Sequence, residues 1–171
     1  MRALKILIIV SSSLMVAFLL WNLTLSSEYS IEVKQQINAE PSEIKEQLTD
    51  LENWKNWATY LKRDSTKAVS FSTPSMGENA WVEWRLNEQS GGGRLEILEI
   101  EEGEMDLAIS LSGFSTVDCQ MMWEEKPEGT ILTWTAKGEL PFFARFAKSR
   151  FKDVIAEDFK ASMTNLAESL N

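Results

Sequence analysis

The chain has 171 residues, room for one domain with a single sizeable core, and carries 17 basic against 26 acidic side chains, a net charge of −9. That balance argues against binding nucleic acid or anionic headgroups, which need Lys and Arg to neutralise phosphates. With no histidine and one cysteine, the chain excludes Ser-His-Asp and Cys-His catalysis, His-containing and Cys-only zinc sites, iron–sulfur clusters and an intrachain disulfide.

A mean hydropathy of −0.20 hides an asymmetry. Between Ile6 and Leu25 no residue is charged, and 15 of the 20 positions are apolar. At about 1.5 Å per residue, such a helix spans about 30 Å, the hydrocarbon thickness of a bilayer. Ser11, Ser12 and Ser13 interrupt the run, but hydroxyls can bond back to the preceding turn. Trp21 falls near the far end, where an amphipathic ring suits the interface. Arg2 and Lys5 precede the run and Glu28 is the first acid after it. The positive-inside rule therefore keeps the N-terminus cytoplasmic and places the remainder across the membrane. A competing reading is a cleaved signal peptide with residues 6–20 as its apolar core. Residues 21–27 lack an Ala-x-Ala pattern, which favours a retained anchor, while cleavage after Ser26 stays open. Either way the domain is exported. The expected division is an anchor over residues 1–27 and a domain over residues 28–171, giving a single-pass membrane protein. The glycosylation pattern Asn22-Leu23-Thr24 falls inside the apolar run and reads as chance.

Residues 29–38 alternate, with Ile31, Val33 and Ile37 on one face, and predict a strand. Pro41 suits a first helical position and Glu43 the positive end of the helix dipole. Ile44, Leu48, Leu51, Trp54 and Trp57 continue at helical spacing, predicting a short helix broken near Asp50 and a second short one. From residue 67 to 138 the period changes to two. Strands are expected over 67–73, 80–87, 94–101, 105–112, 116–125 and 130–138. Turn residues between them, including Ser90-Gly91-Gly92-Gly93, Glu102-Gly103, Ser112-Gly113 and Pro127-Glu128-Gly129, indicate an antiparallel meander. Val117, Cys119, Met121 and Trp123 share one face of a strand, as do Leu132, Trp134 and Ala136. After Pro141 an apolar stripe runs from Phe142 through Phe146, Phe151, Ile155, Phe159, Met163 and Leu166 to Leu170, predicting one long helix that only the sheet can cover. The fold class is α+β: two short helices and a long C-terminal helix on one face of a curved antiparallel sheet, preceded by one N-terminal transmembrane helix.

This order resembles the START-like, helix-grip superfamily, also called SRPBCC, in its polyketide cyclase/dehydrase and lipid transport branch. The residues that carry the likeness are Ile37-Asn38-Ala39-Glu40-Pro41-Ser42-Glu43-Ile44, Leu48-Thr49-Asp50 and Asn53-Trp54-Lys55-Asn56-Trp57. They are similar to the family's opening I-N-A-x-P-x-x-V-W, L-x-D and x-W-x-x-W. Val82-Glu83-Trp84, Gly92-Gly93-Arg94-Leu95-Glu96-Ile97, Thr130-Ile131-Leu132-Thr133-Trp134-Thr135 and Gly138-Glu139-Leu140-Pro141 resemble its later strands and the lead-in to its last helix. Lys45 departs from the pattern, standing where the family usually has an aromatic, and Glu101-Glu102 and Glu124-Glu125 make this copy acidic. The resemblance implies a long helix closing over the sheet, often above an apolar cavity; it does not imply a reaction.

Six tryptophans, Trp54, Trp57, Trp81, Trp84, Trp123 and Trp134, lie in the exported domain, where they either line a pocket or fill the core. Trp81 and Trp84 cannot both face inward on one regular strand. Candidate cavity-lining residues are Trp57, Trp84, Met121, Trp123, Trp134, Phe146, Ile155 and Phe159. The acidic stretch from Glu99 to Asp106 and the pair Glu124-Glu125 lack the spacing of a calcium loop and read as solvated turns and strand ends. Ser90-Gly91-Gly92-Gly93-Arg94 lacks Gly-Lys-Ser/Thr and joins strand to strand, so it is a hairpin turn rather than a phosphate loop. Cys119 reads as a small buried residue. No metal or cofactor is expected. The expected function is binding of a hydrophobic small molecule or lipid, with the membrane as partner and no nucleic acid. The alternatives are a cyclase/dehydrase-type enzyme using a buried carboxylate such as Asp118 or Asp158, or Tyr60, and a fully packed interaction module.

Overall fold

The computed structural model describes residues 2–62, 68–85, 92–111 and 116–170. The apolar N-terminal run forms helix α1 (Arg2–Leu23), almost wholly exposed and apolar enough to cross a membrane. Strand β1 (Glu28–Ile37) follows and buries Tyr29, Ile31 and Ile37 on one face. Helix α2 (Pro41–Thr49) starts with Pro41 at its first turn and a reciprocal cap, in which the Glu40 backbone N–H donates to the Glu43 carboxylate at 2.9 Å. Ile44 and Leu48 carry its buried face. The expected break at Asp50 is present, where Asp50 leaves the helix to bridge with Met76. Beyond it the chain makes two one-turn helices, α3 (Trp54–Trp57) and α4 (Thr59–Lys62), where one was expected. Ala58 separates them in extended conformation, its N–H donating back to the Trp54 carbonyl.

Strands β2 (Ala68–Phe71), β3 (Trp81–Arg85), β4 (Gly92–Glu101), β5 (Glu104–Leu111), β6 (Val117–Lys126) and β7 (Gly129–Glu139) complete the meander. The sheet has seven strands among the described residues, in the order β1-β7-β6-β5-β4-β3-β2, every neighbouring pair antiparallel. The first strand thus closes against the last. Strand residues 67, 86, 87 and 112 and the turns at Ser90-Gly91 and Ser112-Gly113 lie outside the described residues. Gly103 and Gly129 make their turns with positive φ.

The C-terminal stripe does not form one helix. Its first six residues make a 3-10 helix (Phe142–Ala147), and only then does α5 (Lys148–Ser169) begin. The tighter 3-10 winding rotates Phe146 out of the α5 stripe and leaves it 54% exposed. Helix α5 lies across the sheet with Phe159, Met163 and Leu166 inward. Two polar clamps hold it to the short helices. Ser162 Oγ accepts the Thr59 N–H at 3.0 Å, and Asn165 Nδ2 donates to the Trp57 carbonyl at 3.0 Å. The core is aromatic: Trp54 and Trp57 have centroids 4.5 Å apart, and Trp134 stacks on Phe159 at 4.0 Å and 5°.

Candidate functional site

The core is not filled throughout. Between α5, α4 and the concave face of the sheet lies a cavity of about 170 Å³ with almost entirely apolar walls. Sheet side chains Tyr29, Trp84, Ile109, Leu111, Val117, Cys119 and Ala136 form its floor, and Tyr60, Phe151, Ile155, Asp158, Phe159 and Ser162 its roof. Each comes from a local rule. Val117 and Cys119 alternate on β6, and Phe151, Ile155, Phe159 and Ser162 recur every three or four residues on α5. Trp84 sits opposite Gly93 in register, and a Cβ on Gly93 would stand 2.3 Å from the indole. The missing side chain lets the ring lie across the neighbouring strand and meet Tyr60 at 5.1 Å. Tyr29 meets Phe151 edge-on at 5.1 Å, which ties β1 to α5 at the cavity wall.

The polar groups here are two phenols, one thiol, the Ser162 hydroxyl and the Asp158 carboxylate. Burial, reinforced by the nearby Cys119, pushes the Tyr29 hydroxyl up to about 12. Burial and then Cys119 also hold the Tyr60 hydroxyl well above its ordinary value. Cys119 itself is raised to about 12 by burial and by Asp118, the Trp134 side chain opposing. At neutral pH all three are protonated and uncharged, able to donate a weak polar contact but supplying neither base nor thiolate. Of the two carboxylates considered from sequence, Asp118 is exposed on the strand's other face, and Asp158 is half-buried at the cavity rim. Glu99, Glu101, Glu102, Glu124 and Glu125 are all exposed, as solvated turn and strand-end residues are. Among the described residues no three Cys, Asp or Glu side chains gather as a metal site.

Of the eight candidate lining residues, the structure brings Trp84, Ile155 and Phe159 to the cavity wall. Trp57, Met121 and Trp134 are fully buried in the packed core instead, and Trp134 supports the wall from behind through its stack on Phe159. Trp123 is buried further along β6, paired with Leu132. Phe146 faces away and packs edge-on against Phe18 of α1, with centroids 5.6 Å apart. The difference in placement has one physical reason. Inward facing is read from alternation, but the void lies at one end of the sheet, where β5 ends and β6 begins, so residues deeper along the strands pack against rings. Phe151 and Ala136 were legible as members of apolar faces, and Tyr29 shares the parity of Ile31, but no sequence signal put them at that end.

A curved antiparallel sheet closed by a long C-terminal helix over an apolar void defines a helix-grip, START-like domain. The family described as polyketide cyclase / dehydrase and lipid transport matches residues 28–171, and the chain belongs to it. Solved structures share the fold. A Staphylococcus aureus protein of unknown function superposes with a TM-score of 0.66 at 9% identity, covering 85% of this chain and 94% of its own. A Thermus thermophilus protein gives 0.64 at 18% identity, covering 83% and 97%. CalU16 from Micromonospora echinospora gives 0.54 at 14%, covering 81% and 71%. No curated protein matches the sequence significantly.

Proposed function

We infer that residues 28–171 bind a hydrophobic small molecule in the cavity under α5, and that residues 1–27 hold this domain at a membrane. The observation that carries the reading is an unfilled, apolar space in a core whose other side chains pack to near-zero exposure. Its size narrows the ligand. At about 170 Å³ it is below the roughly 300 Å³ at which drug-sized sites begin, and close to the roughly 150 Å³ of an engineered cavity that accepts benzene. The occupant is therefore one ring or the end of an acyl chain, not a fused polycycle. Neutral phenols and a neutral thiol suit a guest whose enclosed part is uncharged, the Asp158 carboxylate standing at the rim.

Retention of the anchor has support at the junction. Asn22 is fully buried and donates to the Phe142 carbonyl, while Lys148 Nζ donates to the carbonyls of Ser26 and Glu28 at 2.9 and 3.2 Å. The Leu140 N–H donates to the Ser27 carbonyl at 2.9 Å. Cleavage after Ser26 would cut through this set of contacts. Arg2 and Lys5 ahead of the span favour an extracytoplasmic domain.

Ile155→Trp tests the reading, since a half-buried helix position can take a larger ring that fills the void. The full chain, extracted gently from its host membrane, carries an apolar molecule detectable by native mass spectrometry. The variant folds with unchanged circular dichroism but carries none. A native chain that is clean and ignores fluorescent fatty acids would end the binding reading in favour of a packed module.

A further inference from the structure

The 3-10 helix at Phe142–Ala147 sits where α1 meets the domain, and its rings are the ones the core does not use. Phe143 is 69% exposed and Phe146 54%, whereas the other described phenylalanines of the domain, Phe71, Phe142, Phe151 and Phe159, are buried or half-buried. Phe146 is held against Phe18, and Phe142 is tied to Asn22. Phe18 stands five residues before Leu23, the last residue of α1, hence about 7 Å inside the helix end at a rise of about 1.5 Å per residue. Where α1 crosses a bilayer, Phe146 therefore shares the depth of the outer acyl region and interface. At that depth the two rings leave water for an apolar layer, which the hydrophobic effect favours.

Charge follows the same geometry. Residues 140–152 hold four cations, Arg145, Lys148, Arg150 and Lys152, and no acid, within a domain of 15 basic and 26 acidic residues. Arg145 and Lys148 grip the carbonyls of Leu25, Ser26 and Glu28, fixing the turn against the base of α1. Arg150 is exposed beside it. An apolar tip flanked in sequence by cations is the composition of interfacial anchors, and although Glu28 and Glu139 are exposed at the same edge, a local cluster acts within about 10 Å whatever the net charge of the rest.

The sheet register extends the consequence to the cavity. Glu28 pairs with Glu139, Asp118 with Lys137 and Ile109 with Val117, so β1 and β6 start, and β5 and β7 end, at the edge from which α1 departs. Tyr29, Leu111, Val117 and Phe151, which line the cavity, belong to this edge. We propose that Phe143 and Phe146 form a second membrane-contact site, entering the interfacial layer of the bilayer that α1 crosses and holding the cavity end of the domain against it. The cavity then takes its guest from lipid rather than from water, which makes the ligand class a membrane-resident molecule.

This rests on the anchor reading, and the experiment separates the two. The full chain is reconstituted in phosphatidylethanolamine/phosphatidylglycerol vesicles with and without doxyl-labelled lipid. Single NBD labels are placed through Leu14→Cys in α1, Phe143→Cys, or Glu168→Cys, about 30 Å along α5 from its start. All three sites are exposed, and the buried, protonated Cys119 stays unlabelled. Quenching at 14 and 143 but not at 168 is the expected result. Quenching at 14 with 143 as bright as 168 overturns the proposal and leaves the anchor standing. No quenching at 14 removes both, and quenching at 168 as well lays the whole domain on the bilayer and overturns the end-on placement.

Discussion

At the scale of single residues, Cys119 shows how the fold sets chemistry. Its thiol lies on the inward face of β6, and burial lifts it from 9.0 to about 12. In the folded protein it stays protonated at neutral pH, so a disulfide reagent at pH 8 labels the urea-unfolded chain and spares the native one. The same shift has a consequence for stability. A group whose folded value is raised contributes fully below its unfolded value and loses that contribution as pH rises toward the folded one. The window therefore opens near pH 9 for Cys119 and near pH 10 for Tyr29, and both close near 12. Urea midpoints are expected to hold up to pH 9 and fall beyond it, with a shallower fall for Cys119→Ala between pH 9 and 10. That β6 turns Val117, Cys119, Met121 and Trp123 inward was legible from alternation alone. That Cys119 borders a void while Met121, two residues on, borders none was not, because it depends on which rings α5 lays over each position.

At the scale of elements, the two halves of the C-terminal stripe part company. From Phe151 onward the period reads correctly as a helix packed on the sheet. Phe142 and Phe146 fit the same period, yet they belong to a 3-10 helix that packs on α1 instead. Periodicity records which residues are apolar together, and it is silent on which of two apolar partners they meet. Asn22 carries a similar lesson, since a polar residue inside an apolar run turns out to be the fully buried link to the Phe142 carbonyl. Asn22→Ala leaves that carbonyl without its donor, at a cost of about 1–3 kcal/mol localised to the junction. In detergent, protease cleavage within residues 24–28 is expected to quicken, while the melting of the sheet domain changes little.

For the whole molecule, charge and topology are separable. On the proposed topology Arg2 and Lys5, at the start of α1, set direction, and the domain beyond the helix carries a net −11. Alkaline phosphatase fused at the C-terminus is expected to be active and to remain with membranes after alkaline carbonate extraction. A fluorescent reporter that matures only in the cytoplasm should stay dark there, and a bright one would reverse the topology.

The amino-acid sequence by itself determined the apolar span, the strand–helix–meander–helix order and the inward faces of β1, β6 and β7, because these follow from periods of 3.6 and two that act over a few residues. It also pointed to the family, through an ordered set of short motifs between Ile37 and Pro141, and the family matches residues 28–171. Tertiary structure alone decided where the core stays open. That depends on the register bringing β1, β5, β6 and β7 to one edge, on Gly93 letting the Trp84 indole lie down, and on Trp134 and Phe159 filling the space next to the void. The cavity is a difference between the volume enclosed and the side chains that reach into it, and only their packing in three dimensions fixes that difference.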